Sequence, residues 1–236
     1  MQENKLYDQL WHENALKLKQ NMLEFDPYLM GKPDSRMGIS LILRLNENPT
    51  LMSNIKEFYQ TFHQLDPNQH MSQTESLHVT LLSLVTCREH FEFNVFNLNQ
   101  YVQVIQSAIN DAIKTTQKTE AINIMFKGIT ISSSCILLRG FAMNDLLAEV
   151  RKNLRIHFNA SDLEHTIDSR YSIQSAHCTM VRFKQPTRLP IKLYKLIKQN
   201  IDTDFGEVES TYCDLVINDW YHTKEKSTLL ARFPLC

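Results

Sequence analysis

The chain has 236 residues, 43% of them hydrophobic and 22% charged, with only 5 Gly and 7 Pro. That composition excludes disorder, collagen-like repeats and a solenoid, and it leaves enough chain for a substantial core. A formal net charge of -1 supplies no field for holding long duplex nucleic acid, which takes many phosphate contacts, and favours a small anionic substrate or a nucleic-acid end.

Five scattered cysteines (Cys87, Cys135, Cys178, Cys213 and Cys236) form no C-x-x-C pair, which points to reduced thiols in a cytoplasmic compartment and to no structural zinc. Met1 to Gln20 lacks the apolar core of a signal peptide, and no apolar run approaches bilayer thickness, so neither secretion nor membrane insertion is expected.

The spacing of Leu6, Leu10, Ala15, Leu16 and Leu18 predicts an amphipathic helix over residues 4–24, packed on the body or free as a partner-binding arm. Phe25 to Met37 is a loop carrying Pro27, Gly31 and Pro33, and Gly38 to Leu45 is a strand. Asn48-Pro49-Thr50 opens a helix with the stripe Leu51, Ile55, Phe58, Tyr59 and Phe62, ending near Leu65. A polar loop, Gln69 to Ser76, leads to a strand over Leu77 to Thr86. Asn99 to Thr116 is a helix, and Ile122–Ile131 and Cys135–Phe141 form a hairpin across Ser132-Ser133-Ser134. Asn144 caps a helix whose buried face is Leu146, Leu147, Val150, Leu154 and Phe158. The loop Asn159 to Ser169 and Tyr171 then precede a strand from His177 to Phe183. Pro190 to Gln199 is a helix, and Val208–Ile217 and Ser227–Phe233 close the chain as two strands around Trp220-Tyr221-His222. Helices and hairpins intermix in this order, which is an α+β fold. Each half holds a strand set, a long helix and one special strand, so two similar lobes facing each other, with a special strand near the centre of each, are expected within a single domain spanning 1–236, with residues 1–30 as a helical extension.

The special strands carry the chemistry. Leu77-His78-Val79-Thr80-Leu81-Leu82 and Ala176-His177-Cys178-Thr179-Met180-Val181 each place a His and a Thr two apart in an apolar run. In a strand, residues i and i+2 share a face, so each segment presents an imidazole beside a hydroxyl. Two histidines are the simplest metal-free apparatus for general acid and general base catalysis on a phosphodiester. Arg182 is the next phosphate-binding candidate, although strict alternation sets it on the face opposite His177 and Thr179. Tyr171, Trp220 and Tyr221 are candidates for stacking on a nucleobase, ahead of Phe96 and Tyr101. Lys32, Arg36 and Arg44 are weaker phosphate candidates, with solvated surface as the alternative reading. Cys178 reads as core, and His222-Thr223 reads as a surface loop because Lys224 and Glu225 follow it. The other six histidines lie without ligand-type partners at metal spacing.

His78-Val79-Thr80-Leu81 and His177-Cys178-Thr179-Met180, with Arg182-Phe183 after the second, resemble the two-histidine phosphoesterase superfamily. That group includes the bacterial RNA 2′,3′-cyclic phosphodiesterases and the cyclic nucleotide phosphodiesterases of myelin. The resemblance implies a bilobal fold of two opposed antiparallel sheets with pseudo-twofold symmetry, flanked by helices, and a cleft holding both His-x-Thr pairs. It implies His78 and His177 as acid and base, with Thr80, Thr179 and Arg182 on the phosphate, and no metal or cofactor. The expected substrate is a nucleotide, oligonucleotide or RNA end with a cyclic or 2′-linked phosphodiester, met by a monomer. The first motif lacks the aromatic and Gly that usually follow in the bacterial enzymes, so the chain reads as a divergent branch. A non-catalytic nucleotide sensor using the same cleft is the competing reading.

Overall fold

The computed structural model describes residues 2–116 and 121–235; Cys236 lies outside them. In chain order the elements are α1 (Gln2–Lys19), β1 (Met37–Arg44), α2 (Pro49–Leu65), β2 (His70–Met71), β3 (His78–Arg88), α3 (Leu98–Thr116), β4 (Ile122–Ile131) and β5 (Cys135–Ala142). They continue with α4 (Leu146–Asn159), β6 (Cys178–Arg182), α5 (Pro190–Gln199), β7 (Asp204–Ser210), β8 (Tyr212–Asp219) and β9 (Thr228–Pro234). The fold is α+β. Among the described residues no helix is long and apolar enough to cross a membrane, and Cys87, Cys135, Cys178 and Cys213 are free thiols.

Local sequence accounts for the main elements. The side chain of Asn48 accepts from the Leu51 amide ahead of Pro49, which starts α2, and Leu51, Ile55, Phe58 and Phe62 bury one face. In α3 the buried stripe is Tyr101, Ile105, Ala108, Ile109 and Ala112. The β4–β5 hairpin closes where the Ser132 amide donates to the Cys135 carbonyl, and the Ser132 hydroxyl accepts from the Cys135 amide. Helix α4 starts one residue later than its sequence suggests: Asp145 is the cap residue, and the Asn144 side chain donates to the Ala121 carbonyl.

Two antiparallel sheets result, in the orders β3-β1-β8-β9 and β2-β6-β5-β4-β7. Apart from the added two-residue strand β2, they have matching plans. In each, a strand, a helix and a motif strand follow one another (β1-α2-β3 and β5-α4-β6), and the motif strand pairs with its predecessor. This is the pseudo-twofold arrangement expected. The motif strands run at the margins of the sheets, however, with β3 at an edge and β6 next to the edge strand β2. The two lobes meet along that line, where β3 and β6 approach one another. A second correction concerns Val208–Ile217, which is not one strand: β7 belongs to one sheet and β8 to the other, with Thr211 between them. An apolar run carries no mark of where it changes partners.

The N-terminal helix is part of the body. Tyr7 and Leu18 are fully buried, and the Tyr7 hydroxyl donates to the Gly140 carbonyl while accepting from the Gly140 amide. Gly140 has to be glycine, because a Cβ there would stand 2.0 Å from the Ala176 carbonyl oxygen. The segment entering the second motif therefore lies flush against β5.

Candidate active site

Both motif strands carry a bulge at the same place. On β6 Thr179 faces Leu137 and Val181 faces Ile136, which leaves Met180 as the extra residue. On β3 Thr80 faces Ile42 and Leu82 faces Leu41, which leaves Leu81 extra. A bulge resets the alternation of faces. Met180 and Val181 are both fully buried, and Arg182 comes round to the face of His177 and Thr179. The strict alternation that set Arg182 on the far side fails at this point, and Ser83 is the equivalent residue on β3.

The result is one cleft of about 620 Å³ into which His78, Thr80, His177, Thr179 and Arg182 all project. Cys178 points into the core, as its alternation indicated, and burial pushes its thiol up to about 12.

Each histidine is tied at Nδ1 by the serine two residues before it. The ring of His78 lies 2.7 Å from the Ser76 carbonyl, which can only accept, so Nδ1 carries the hydrogen. Nδ1 of His177 lies 2.8 Å from the Ser175 hydroxyl, which can donate or accept. Each ring therefore offers Nε2 to the cleft. The repeat is thus Ser-x-His-x-Thr, one residue longer on its N-terminal side than the sequence reading took it. Burial holds both rings down to about 4; Arg182 and Arg44 add to this at His78, and Arg151, His78 and Arg182 add to it at His177.

The bulges free backbone carbonyls, and each is met by a side chain from the helix that precedes the other motif strand in the chain. On α4 the buried Arg151 guanidinium donates to the Leu81 carbonyl (2.8 Å), the Thr80 carbonyl (2.8 Å) and the Ser175 carbonyl (2.9 Å). One side chain thereby links both motifs. On α2 the Tyr59 hydroxyl donates to the Met180 carbonyl (2.9 Å), which also accepts from the Ser72 amide. The sequence names Tyr59 only within the apolar stripe of α2, and gives Arg151 no role. Arg151 left a trace there, since it falls on the Leu147, Val150, Leu154 and Phe158 stripe of α4.

The aromatic candidates line the cleft with different degrees of freedom. Tyr171 is 58% exposed at its mouth. Trp220 is surrounded by guanidinium carbons, those of Arg36 and Arg170 each at 4.5 Å and that of Arg182 at 5.6 Å from the ring centre. Tyr221 donates its hydroxyl to Asp26 and packs on His70. Phe96 and Tyr101 lie away from the cleft, in a ring cluster with Phe91 and Phe158.

Two of the weaker phosphate candidates are paired: Arg36 makes a bidentate contact with Asp34, and Arg44 pairs with the buried Asp214. Lys32 donates to the Tyr28 hydroxyl. Among the described residues, Arg170 and Arg182 have no carboxylate partner.

His222 is not a surface loop residue. It stands at φ +53° in a tight turn, with its ring centre 3.9 Å from that of His78. Nothing in the local sequence announces this contact, which the turn between β8 and β9 creates.

Neither a protein-family model nor a curated protein matches the sequence. Solved structures do match the fold. A protein of unknown function from Agrobacterium tumefaciens, ATU0111, aligns over 92% of this chain and 99% of its own, with a TM-score of 0.55 and 13% identity. A structure described as a phosphoesterase aligns over 86% and 99%, with a TM-score of 0.51 and 14% identity. E. coli LigT complexed with 3′-AMP aligns over 86% and 99%, with a TM-score of 0.52 and 13% identity. The chain has the fold of these proteins.

Proposed function

We propose that this chain is a divergent two-histidine phosphoesterase that cleaves a cyclic or 2′-linked phosphodiester of a nucleotide, oligonucleotide or RNA end without a metal ion. The observation that carries the reading is the convergence of both Ser-x-His-x-Thr segments on one cleft, each imidazole tied at Nδ1 and open at Nε2. A core that merely tolerated histidine would have no reason to repeat serine, histidine, threonine and bulge on two strands from different sheets. The shared fold with a phosphoesterase and with LigT, whose structure holds 3′-AMP, supports the same class.

In the free protein both rings are neutral at pH 7, each being held at about 4. The negative charge of a phosphodiester favours the imidazolium, so substrate binding loads a proton onto the site. His78 takes it, because its Nδ1 hydrogen already faces a carbonyl that stabilises the cation, whereas His177 lies nearer Arg151. His177 then draws a proton from water, or from a neighbouring ribose hydroxyl, as that oxygen bonds to phosphorus. His78 gives its proton to the departing oxygen as the phosphorus–oxygen ester bond breaks. Attack by water yields a phosphomonoester, and attack by the hydroxyl yields a cyclic phosphate. The hydroxyls of Thr80 and Thr179 and the Arg182 guanidinium meet the non-bridging oxygens, where charge grows in the transition state. The unpaired Arg170 and Arg182 flank Trp220 on the wall of the same cleft and suit an anionic nucleotide.

The test is hydrolysis of 2′,3′-cyclic nucleotides, 2′,5′-oligoadenylate and cyclic dinucleotides in EDTA by the wild type and by a His78→Ala, His177→Ala variant. Cleavage of one member by the wild type alone is expected, and it identifies the linkage. A strict metal requirement refutes the mechanism. Absence of cleavage with tight binding in both proteins turns the assignment to a nucleotide sensor.

A further inference from the structure

The turn between β8 and β9 is built to hold one ring in the cleft. The Asp219 carboxylate accepts from the Thr223 amide (2.8 Å) and from the Thr223 hydroxyl (3.0 Å), and the His222 amide donates to the Asp219 carbonyl (3.2 Å). This clamp forces His222 into the left-handed region at φ +53°, which a residue with a Cβ rarely occupies. Its ring then lies on His78 with centroids 3.9 Å apart and planes 35° from parallel. Its Nδ1 is buried and has no hydrogen-bond partner among the described residues. A strained backbone and an unsatisfied buried nitrogen, both beside a reacting group, are signs of a site rather than of a core.

We propose that His222 is a positioning residue for the reaction: it braces the face of the His78 ring, so that the imidazole tied to the Ser76 carbonyl keeps Nε2 in the cleft and only one ring of the stack carries a proton. This rests on the reading of His78 as the acid of a phosphodiesterase. Two stacked imidazolium ions would repel at this distance, so the pair holds a single proton. His78 takes it, having a carbonyl acceptor at Nδ1 that His222 lacks. Burial and the neighbouring His78 hold His222 well below the ordinary histidine range. The charged and titratable groups facing the stack are Arg182 and His177 from β6 and its approach, Arg44 from β1 and Asp219 from the turn itself, with His70 behind Tyr221. The cations among them oppose a second proton, and the Asp219 carboxylate is occupied by Thr223.

Two variants separate bracing from folding. His222→Asn keeps the turn, since Asn tolerates positive φ, and removes the ring; His222→Phe keeps a ring and removes the nitrogens. On whichever substrate the wild type cleaves, His222→Asn should lower kcat by about tenfold with KM within about twofold, the pattern of a misplaced reacting group. His222→Phe should recover most of kcat. Ring NMR titrations without substrate supply the second readout. The His78 ring signals should move and broaden in His222→Asn, and His222 should titrate at higher pH in His78→Asn than in the wild type. A folded His222→Asn with wild-type kcat and unchanged His78 signals overturns the proposal. If the wild type cleaves nothing, the phosphodiesterase reading fails by itself, and the ring titrations still decide whether His222 braces His78.

Discussion

Replacing Arg151 by methionine tests whether one buried guanidinium holds the two motifs in register. The side chain is 5% exposed and donates three hydrogen bonds to carbonyls on β3 and on the segment entering β6, with no carboxylate partner. Methionine fills much of the volume and carries no charge. It leaves the Thr80, Leu81 and Ser175 carbonyls without this donor, at about 1 to 3 kcal/mol for each buried acceptor that finds no substitute. Carbonyls keep a second lone pair, and cleft water can reach some of them, so the lower end applies. The desolvation cost of the guanidinium is recovered, which burial registers by pushing Arg151 down to about 10. The net loss is about 2 to 4 kcal/mol, or roughly 10 °C in Tm for a chain of this size. Thermal unfolding followed by circular dichroism measures this directly, and kcat on the identified substrate should fall alongside, because the spacing of His78 and His177 relaxes. Arg151→Lys should fall between, since one ammonium cannot reach three carbonyls on two segments. A methionine variant with Tm within about 2 °C of the wild type and unchanged kcat would refute the reasoning.

Tyr59→Phe removes the equivalent donor of the other lobe, a single neutral bond to the Met180 carbonyl that keeps the Ser72 amide, and should cost only about 1 kcal/mol in urea unfolding. Thr80→Val and Thr179→Val should each lower kcat by roughly tenfold to a hundredfold with little change in Tm, if those hydroxyls stabilise growing phosphate charge. The rings of His78 and His177 are held at about 4 against an ordinary 6.5, so the unfolded chain binds protons first as pH falls. Stability should be full above pH 6.5 and be lost between 6.5 and 4, by at most on the order of 3 kcal/mol per ring, and a His78→Gln, His177→Gln variant should flatten that slope. If His78 is the acid, its protonated form is scarce in the free protein at neutral pH and is favoured by a bound phosphodiester, so the optimum of kcat should lie at higher pH than that of kcat/KM.

The chemistry of the site was legible where it is written in side-chain type at fixed spacing, and lost where it depends on how strands pair. The two His-x-Thr segments, their strands and the β4–β5 hairpin could all be read from residue order. The bulges could not be read by assuming strict alternation, yet they leave a shared trace. After each threonine come two apolar residues and then a polar one, Leu81-Leu82-Ser83 and Met180-Val181-Arg182, so on β6 the cleft-facing positions step by two and then by three, and on β3 Ser83 joins Leu82 on the cleft wall. That step is what turns Arg182 toward the two histidines and Ser83 toward the same cleft. A bulge also exposes a carbonyl, and an exposed carbonyl in a core needs a donor. Arg151 and Tyr59 are those donors, each from the helix that precedes the other motif strand in the chain. The two lobes are thus tied together at the very residues where their strands depart from regularity. His222 left no comparable trace, because its place depends on the Asp219 clamp and on the meeting of β3 with a turn more than a hundred residues away in sequence. The part of the site that repeats between lobes is recoverable from one sequence, and the part that breaks the repeat is visible only in the folded chain.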